Sequence, residues 1–467
     1  MYFTTLLPKS PNMIRKKSSE NQSSFWIATN ELQLKPQLTF FTKLNNILDE
    51  ISFGEQLRKL CKPYYSEKPN CRPPIDPEVY CKMLFIGFFE NLRSERAIAS
   101  RCADSLSIRN FLGFSITEST PAHSTLSDIR YRLPESIFFE AFSIILKALK
   151  DKGLVKGRNL ALDTSIIEAN ASLSKLQNRM TEECYANYIK KLAQESGVNP
   201  DDKAAVARFD RTRKDRKTSN EEWYNPNDPD AKIGKTKNGA TDMVYKCEHI
   251  VDLDTGAIID ADILLGNRAD SDCLSERIID AQIRLNDVSD NPAEEMPVET
   301  ITADKGYYCV EEITNIQCLG FDTVIPDNLL KRIMSKLSDE DALAVELAHS
   351  DISSKKGKAL LKQRGSQVER SFAHVLDCGG ERRTTLRGKE NNRKRYLIAT
   401  ACYNISLLMR TIFGVGTLKQ FIAKVKLALN WFLKSVFCLQ KLYSDCVSLI
   451  FFLTCQRTLI LKISSSN

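Results

Sequence analysis

No C-x-x-C pair, no histidine–cysteine cluster and no uninterrupted apolar run of about 20 residues occur in this 467-residue chain. Each absence removes a class of function. The 14 cysteines fall singly in loops or on apolar stretches (Cys81, Cys102, Cys247, Cys402), as buried or incidental thiols of a reducing compartment do. The four histidines, His123, His249, His349 and His374, lie far apart with no cysteine at ligand spacing, which argues against a structural zinc site. Residues 1–24 have only a short apolar start, then Arg15, Lys16 and Lys17 and a polar run, so no secretory signal is expected. The apolar run CVSLIFFLTC, at 446–455, is shorter than the roughly 20 residues that span a bilayer. The expectation is a cytoplasmic protein with no membrane partner.

A strong charge of one sign is also missing. Lys and Arg number 66 against 59 Asp and Glu, a net +7, so an overall field for polyanions is not assured. Where the charge lies matters more. Basic clusters recur at 208–217, 355–364, 382–387 and 393–395, and they form either a stripe for DNA phosphates or a solvated surface.

Composition and pattern divide the chain into four parts. Residues 1–38 are polar and proline-dotted, and read as a flexible arm. Residues 39–150 read as an all-α domain. Asp76 caps a helix with Pro77 at its first position, Ser94 caps the next, and Pro134 separates two more. This domain either binds DNA ends through a helix-turn-helix, with 124–132 as the probing helix, or serves as a bundle for packing or dimerisation. From residue 151 to 412 short β-forming runs alternate with helical ones: strands at 160–163, 244–253, 257–264, 298–303 and 321–325, with helices between the later ones. The expected class is α/β (α+β), a mixed sheet flanked by helices. A polar stretch at about 173–240 interrupts this order as an insertion. In it, Trp223 and Tyr224 either stack on an extruded base or pin the loop to the body. A hydrophobic tail, 413–467, closes the chain. Its apolar positions up to Cys438 recur at helical spacing and predict a packed amphipathic helix.

Three acidic residues stand in distinctive settings. Asp163 in ALDTSIIEANAS and Asp304 in TITADKGYY each close a β-forming run, and Glu369 in RGSQVERSFAHV lies in a helix-like stretch crowded with arginines. Each has a plain reading: Asp163 as a turn cap, Asp304 as a turn residue, Glu369 as a surface partner of Arg370. Together, carboxylates set among cations point to metal-assisted phosphoryl transfer, in which two divalent ions serve both oxygens of an in-line displacement. Glu168 reads as a surface or supporting acid, and Asp270 and Asp272 as caps of the helix that follows. The cations near Glu369 are Arg364, Arg370, Arg382, Arg383, Arg387, Arg393, Lys394 and Arg395. They are the best candidate DNA track, since guanidinium forks suit phosphate oxygens.

In order and context, LALDTSIIEANAS, ADKGY, and VERSFAH followed by GGERRTTLRGKENNRKRYLIATACYNISLLMR resemble the DDE transposases of bacterial insertion sequences. The helical segment RPPIDPEVYCKMLFIGFFENLRSERAIA is also similar to that family, and the resemblance runs from about Tyr64 to about Arg410. It implies a ribonuclease H-like catalytic core and a triad of Asp163, Asp304 and Glu369. It further implies two Mg2+ ions, with Mn2+ as a substitute, and cutting and joining of double-stranded DNA by a homodimer. Related transposases carry a tyrosine and an arginine before the helix glutamate and a lysine after it. Here Lys362 and Leu376 occupy the tyrosine and lysine positions, and Arg364 stands one residue away from the arginine position. The alternatives are a catalytically inactive or repurposed DNA-binding protein of the same fold, and a nuclease acting on RNA–DNA hybrids.

Overall fold

Three of the amino-terminal helices begin on side-chain caps. The computed structural model describes residues 37–65, 75–214, 219–236, 238–289, 298–327, 337–438 and 440–441. Within them, α1 (Gln37–Glu50) and α2 (Phe53–Cys61) precede α3 (Pro77–Phe89), whose cap Asp76 accepts from the Glu78 N–H. Ser94 caps α4 (Glu95–Asp104), and Ser105 caps α5 (Leu106–Leu112), which ends on Gly113 at φ +81°. Two further helices, α6 (His123–Arg132) and α7 (Glu135–Asp151), complete the block. The helix α3 is apolar all round, so it is buried on nearly every side.

One sheet follows. Its strands are β1 (Asn159–Glu168), β4 (Lys232–Lys235), β5 (Thr241–Asp252), β6 (Ile258–Leu265), β7 (Thr300–Thr302) and β8 (Asp322–Val324). A two-residue pair, β2 (Gln177–Asn178) and β3 (Trp223–Tyr224), forms apart from it. β1 lies antiparallel to β5 and parallel to β7, and β7 is parallel to β8. β6 is antiparallel to β5, on the edge that β4 shares. The order β6-β5-β1-β7-β8 is that of the ribonuclease H-like fold, an antiparallel trio continued by two parallel strands. β1 runs on to Glu168, past the Asp163 end expected from the sequence, because its pairing with the long β5 continues as far as Val244.

Helices α8 (Tyr185–Glu195) and α9 (Lys203–Thr212) belong to the insertion, and α10 (Leu274–Asp287) and α11 (Val310–Cys318) connect sheet strands. After β8 come α12 (Asp339–Ser353), α13 (Lys355–Phe372) and α14 (Lys389–Phe413). α14 is buried along most of its length, and its residues share one hydrophobic core with the amino-terminal helices and the sheet. The stretch Lys389–Cys438 is long and apolar enough by composition to cross a membrane, but 67% of its apolar window is buried in the protein, as in a core helix.

The tail corrects one expectation. Residues 418–438 are helical, yet only the first turns pack: Leu418 and Phe421 are buried, and the Phe421 ring lies 6.4 Å from that of Phe40. Leu427, Leu429, Trp431, Phe432, Leu433 and Phe437 are exposed. At about 100° per residue these positions point round the whole helix, so no single neighbour covers them. The run at 446–455 and the arm at 1–36 lie outside the described residues.

Candidate active site

The site forms where the parallel partner of β1 stops. Register pairs Ala161 with Thr302, and β7 ends there while β1 continues. Asp163 and Asp304 each stand two residues further on, so their side chains project to the same side. Asp304 turns the chain into a single 3-10 turn and accepts from the Gly306 N–H at 2.8 Å. Asp163 accepts from the Thr164 N–H at 2.8 Å. Arg364, from α13, reaches between the two acids. Its Nη2 lies 3.0 Å from Asp163 Oδ2 and 3.8 Å from Asp304 Oδ2.

Burial pushes the Asp163 carboxyl up to about 6; Arg364 opposes that rise, and Asp304 and Asp270 add to it. Taking a carboxylate out of water disfavours its charged form, and like charges nearby do the same. The site therefore concentrates negative charge that one guanidinium balances only in part.

Glu369 is on the same helix as Arg364 but is not joined to the pair. It is exposed, five residues on, which is about 140° round the helix. Among the described residues no three metal-ligating side chains converge on one point. The sequence reading missed Asp270, which caps no helix. α10 starts behind Cys273 without a side-chain cap, and Asp270 instead accepts from Thr164 Oγ1 at 2.9 Å and Lys246 Nζ at 2.8 Å. Only the sheet register identifies it, by setting Lys246 opposite Ile166 and so within reach of the same carboxylate as Thr164. Asp272 accepts from the Ala269 N–H at 3.2 Å.

The far end of β1 meets the arginine segment. After α13 the helix loosens into a π-turn over Ala373–Cys378, and Gly380 at φ +79° reverses the chain. Arg382 and Thr384 then bond to the backbone of Glu168, five residues beyond Asp163, or about 17 Å along the strand. Arg383 and Arg387 are exposed there, as is Arg370 on α13. Arg382 is held by Asp377 at 2.8 Å.

Two members of the expected DNA track face inward. Lys394 is 1% exposed, donating to the Arg130 carbonyl at 3.0 Å and paired with Glu390. Arg395 pairs with Glu381 at 2.9 Å and donates to the Leu92 carbonyl. They sit on the face of α14 that packs on the amino-terminal helices, so their charges tie that packing together. Arg393, just before them, pairs with Asp262 at 2.7 Å and with Glu135.

Trp223 and Tyr224 act as anchors. Trp223 is buried, its ring edge-on to Tyr185 at 5.2 Å and 5.3 Å from Tyr188. Tyr224 donates to Gln177 Oε1 and lies under the Arg179 guanidinium at 5.0 Å. Leu376, at the position where related proteins have a lysine, is wholly buried.

Comparison with known proteins adds two findings of family. Residues 30–132 match a transposase domain (DUF772), and residues 207–405 match a transposase DDE domain. The second match contains Asp304 and Glu369, whereas Asp163 precedes it. Comparison with the curated proteins gives no match. Among solved structures, the Mos1 mariner paired end complex with Mn is similar at 10% identity, over 69% of this chain and 87% of that chain. Its TM-score is 0.18, and nothing is taken from a likeness of that size.

Proposed function

We propose, for a chain that belongs to the DDE transposases, that it cuts the ends of a mobile DNA segment and joins them to target DNA through Asp163, Asp304 and Glu369. The observation that carries this reading is the pairing of Asp163 with Asp304 under one guanidinium. Their oxygens are hard donors that approach one nitrogen at 3.0 and 3.8 Å, and donors of this kind suit Mg2+, or Mn2+ in its stead. Two such cations, when bound, supply the charge that an in-line displacement at phosphorus requires.

Asp163 and Asp304 would hold the cation from the sheet, and Glu369 would join them on a turn of α13, since here it stands about 140° round that helix from Arg364. Arg364, released from the aspartates, turns to a phosphate oxygen. The exposed Arg370, Arg383 and Arg387 carry the duplex backbone past β1. Two copies of the chain hold the paired ends.

The test is a magnesium-dependent nicking assay on duplex carrying the DNA that flanks the gene, with RNA–DNA hybrid as the comparison. Cleavage of duplex ends in preference to hybrid supports the reading, and preference for hybrid overturns it. A second reading, a repurposed DNA-binding copy, is favoured by the buried Leu376 and by the separation of Glu369 from the acid pair. It predicts specific end binding without nicking.

A further inference from the structure

Asp270 links two strands of the sheet to the acid pair. Lys246 on β5 and Thr164 on β1 both donate to its Oδ1, and Lys246 also donates to the Arg268 carbonyl at 2.6 Å. The Thr164 backbone N–H donates to Asp163. An unbroken path therefore runs Lys246–Asp270–Thr164–Asp163. Asp270 also faces Asp304 across a glycine: a Cβ on Gly306 would lie 3.0 Å from Asp304 Oδ1 and 3.6 Å from Asp270 Oδ2. Any larger residue would intrude between the two carboxylates.

A second, independent feature points into the same place. Tyr307 is 1% exposed, and its hydroxyl faces Thr164, the residue that joins Asp270 to Asp163. Burial pushes its ionisation to higher pH, Glu248, Asp163 and Asp270 add to that rise, and the contact with Thr164 opposes it.

Building on the acid pair proposed above, we infer that Asp270 is a positioning residue, which fixes Thr164 so that Asp163 stays oriented beside Asp304 for a divalent cation. A carboxylate that must meet a cation in one geometry gains from having its neighbours locked. Groups that orient metal ligands in this way are worth roughly 10- to 100-fold in affinity. Lys246 holds Asp270 in place at 2.8 Å.

The experiment is Mn2+ binding to the full chain without DNA, read by electron paramagnetic resonance, for wild type, Asp270→Asn, Thr164→Val, Thr164→Ser and Asp163→Asn. Thr164→Val removes the hydroxyl with little change of shape, so it decides the question even if Asp270→Asn fails to fold. The expected result is about tenfold weaker Mn2+ binding for Asp270→Asn and Thr164→Val, and near-normal binding for Thr164→Ser. The Mn2+ needed for half-maximal nicking should rise in parallel. Normal Mn2+ binding by Thr164→Val overturns the inference while Asp163→Asn still weakens it. If Asp163→Asn also binds normally, the acid-pair reading itself fails.

Discussion

Asp163 and Asp304 stand side by side because β1 and β7 pair Ala161 with Thr302, two residues short of each acid. Parallel register thus brings together residues from distant parts of the chain, and the end of β7 leaves Asp163 unpaired on that side while His249 of β5 pairs it on the other. Arg364 spans them at 3.0 and 3.8 Å.

Asp163→Asn, Asp304→Asn and Glu369→Gln are each expected to reduce strand cleavage by at least about a hundredfold, with DNA binding largely kept. Charge stabilisation in the transition state depends on the acids, whereas affinity comes from the basic surface. Single-turnover nicking and a gel-shift titration check this. Near-normal magnesium-dependent cleavage by one variant would remove that residue from the triad.

The raised Asp163 carboxyl makes a pH prediction with a definite sign. Its folded value, about 6, lies above the ordinary 3.8, so between those pH values the folded protein holds a proton that the unfolded chain has released. This contribution to stability is full below pH 3.8 and is lost as pH rises through about 6. Without metal, Asp163→Asn should therefore melt higher than wild type near pH 7.5, and the gap should shrink towards about pH 4. Calorimetry in a chelator measures it, and an equal gap at both pH values would contradict the assignment. Cleavage should also decline as pH falls through about 6, because the proton competes with the cation.

Arg364 gives opposite effects in two assays. Its guanidinium occupies the oxygens that a cation needs, so Arg364→Gln should tighten Mn2+ binding to the DNA-free protein by several-fold. The same change should weaken binding of DNA ends, since a phosphate contact is lost. Unchanged Mn2+ affinity would mean the arginine does not compete at the acid pair.

The basic surface divides by burial. Replacing Arg370, Arg383 and Arg387 together with alanine should weaken DNA binding across sequences and flatten its salt slope by up to about 2.7 units. Lys394→Met and Arg395→Met should instead lower the melting temperature, because the Arg130 carbonyl and Glu381 lose their partners. A normal melting point with a flattened salt slope for Lys394→Met would restore that residue to the DNA track.

Much of this was readable in the sequence, and the limits have physical causes. Asp76 with Pro77, and Ser94, mark helix starts by local chemistry alone, so those helices begin where expected. The turn residues Asp254, Thr255 and Gly256 between two β-forming runs likewise mark the hairpin of β5 and β6. Lys394 and Arg395 were misassigned because a cation pattern does not say which face of a long helix is buried. α14 is enclosed on both sides, and partners as distant as Arg130 and Leu92 decide where its charges go. Asp270 was read as a cap because its partners, Thr164 and Lys246, adjoin it only through strand pairing. Trp223 allowed two readings, and the neighbouring Tyr185 and Tyr188 rings fix it as an anchor.

The tail offers a last test, with two end points. Phe421 and Leu418 belong to the core, whereas Leu427, Trp431 and Phe437 are open to solvent. A contiguous apolar surface of this kind favours association without adding to the fold. A chain ending at Lys426 should therefore keep the cooperative thermal transition and the nicking activity, and remain monodisperse at higher concentration than the full chain. A chain ending at Gly416 should melt lower, since burying a Leu or Phe is worth about 1.5–3 kcal/mol each. Calorimetry and sedimentation on both lengths decide the matter. If the chain ending at Lys426 lost its cooperative transition, the residues beyond it would be completing the core.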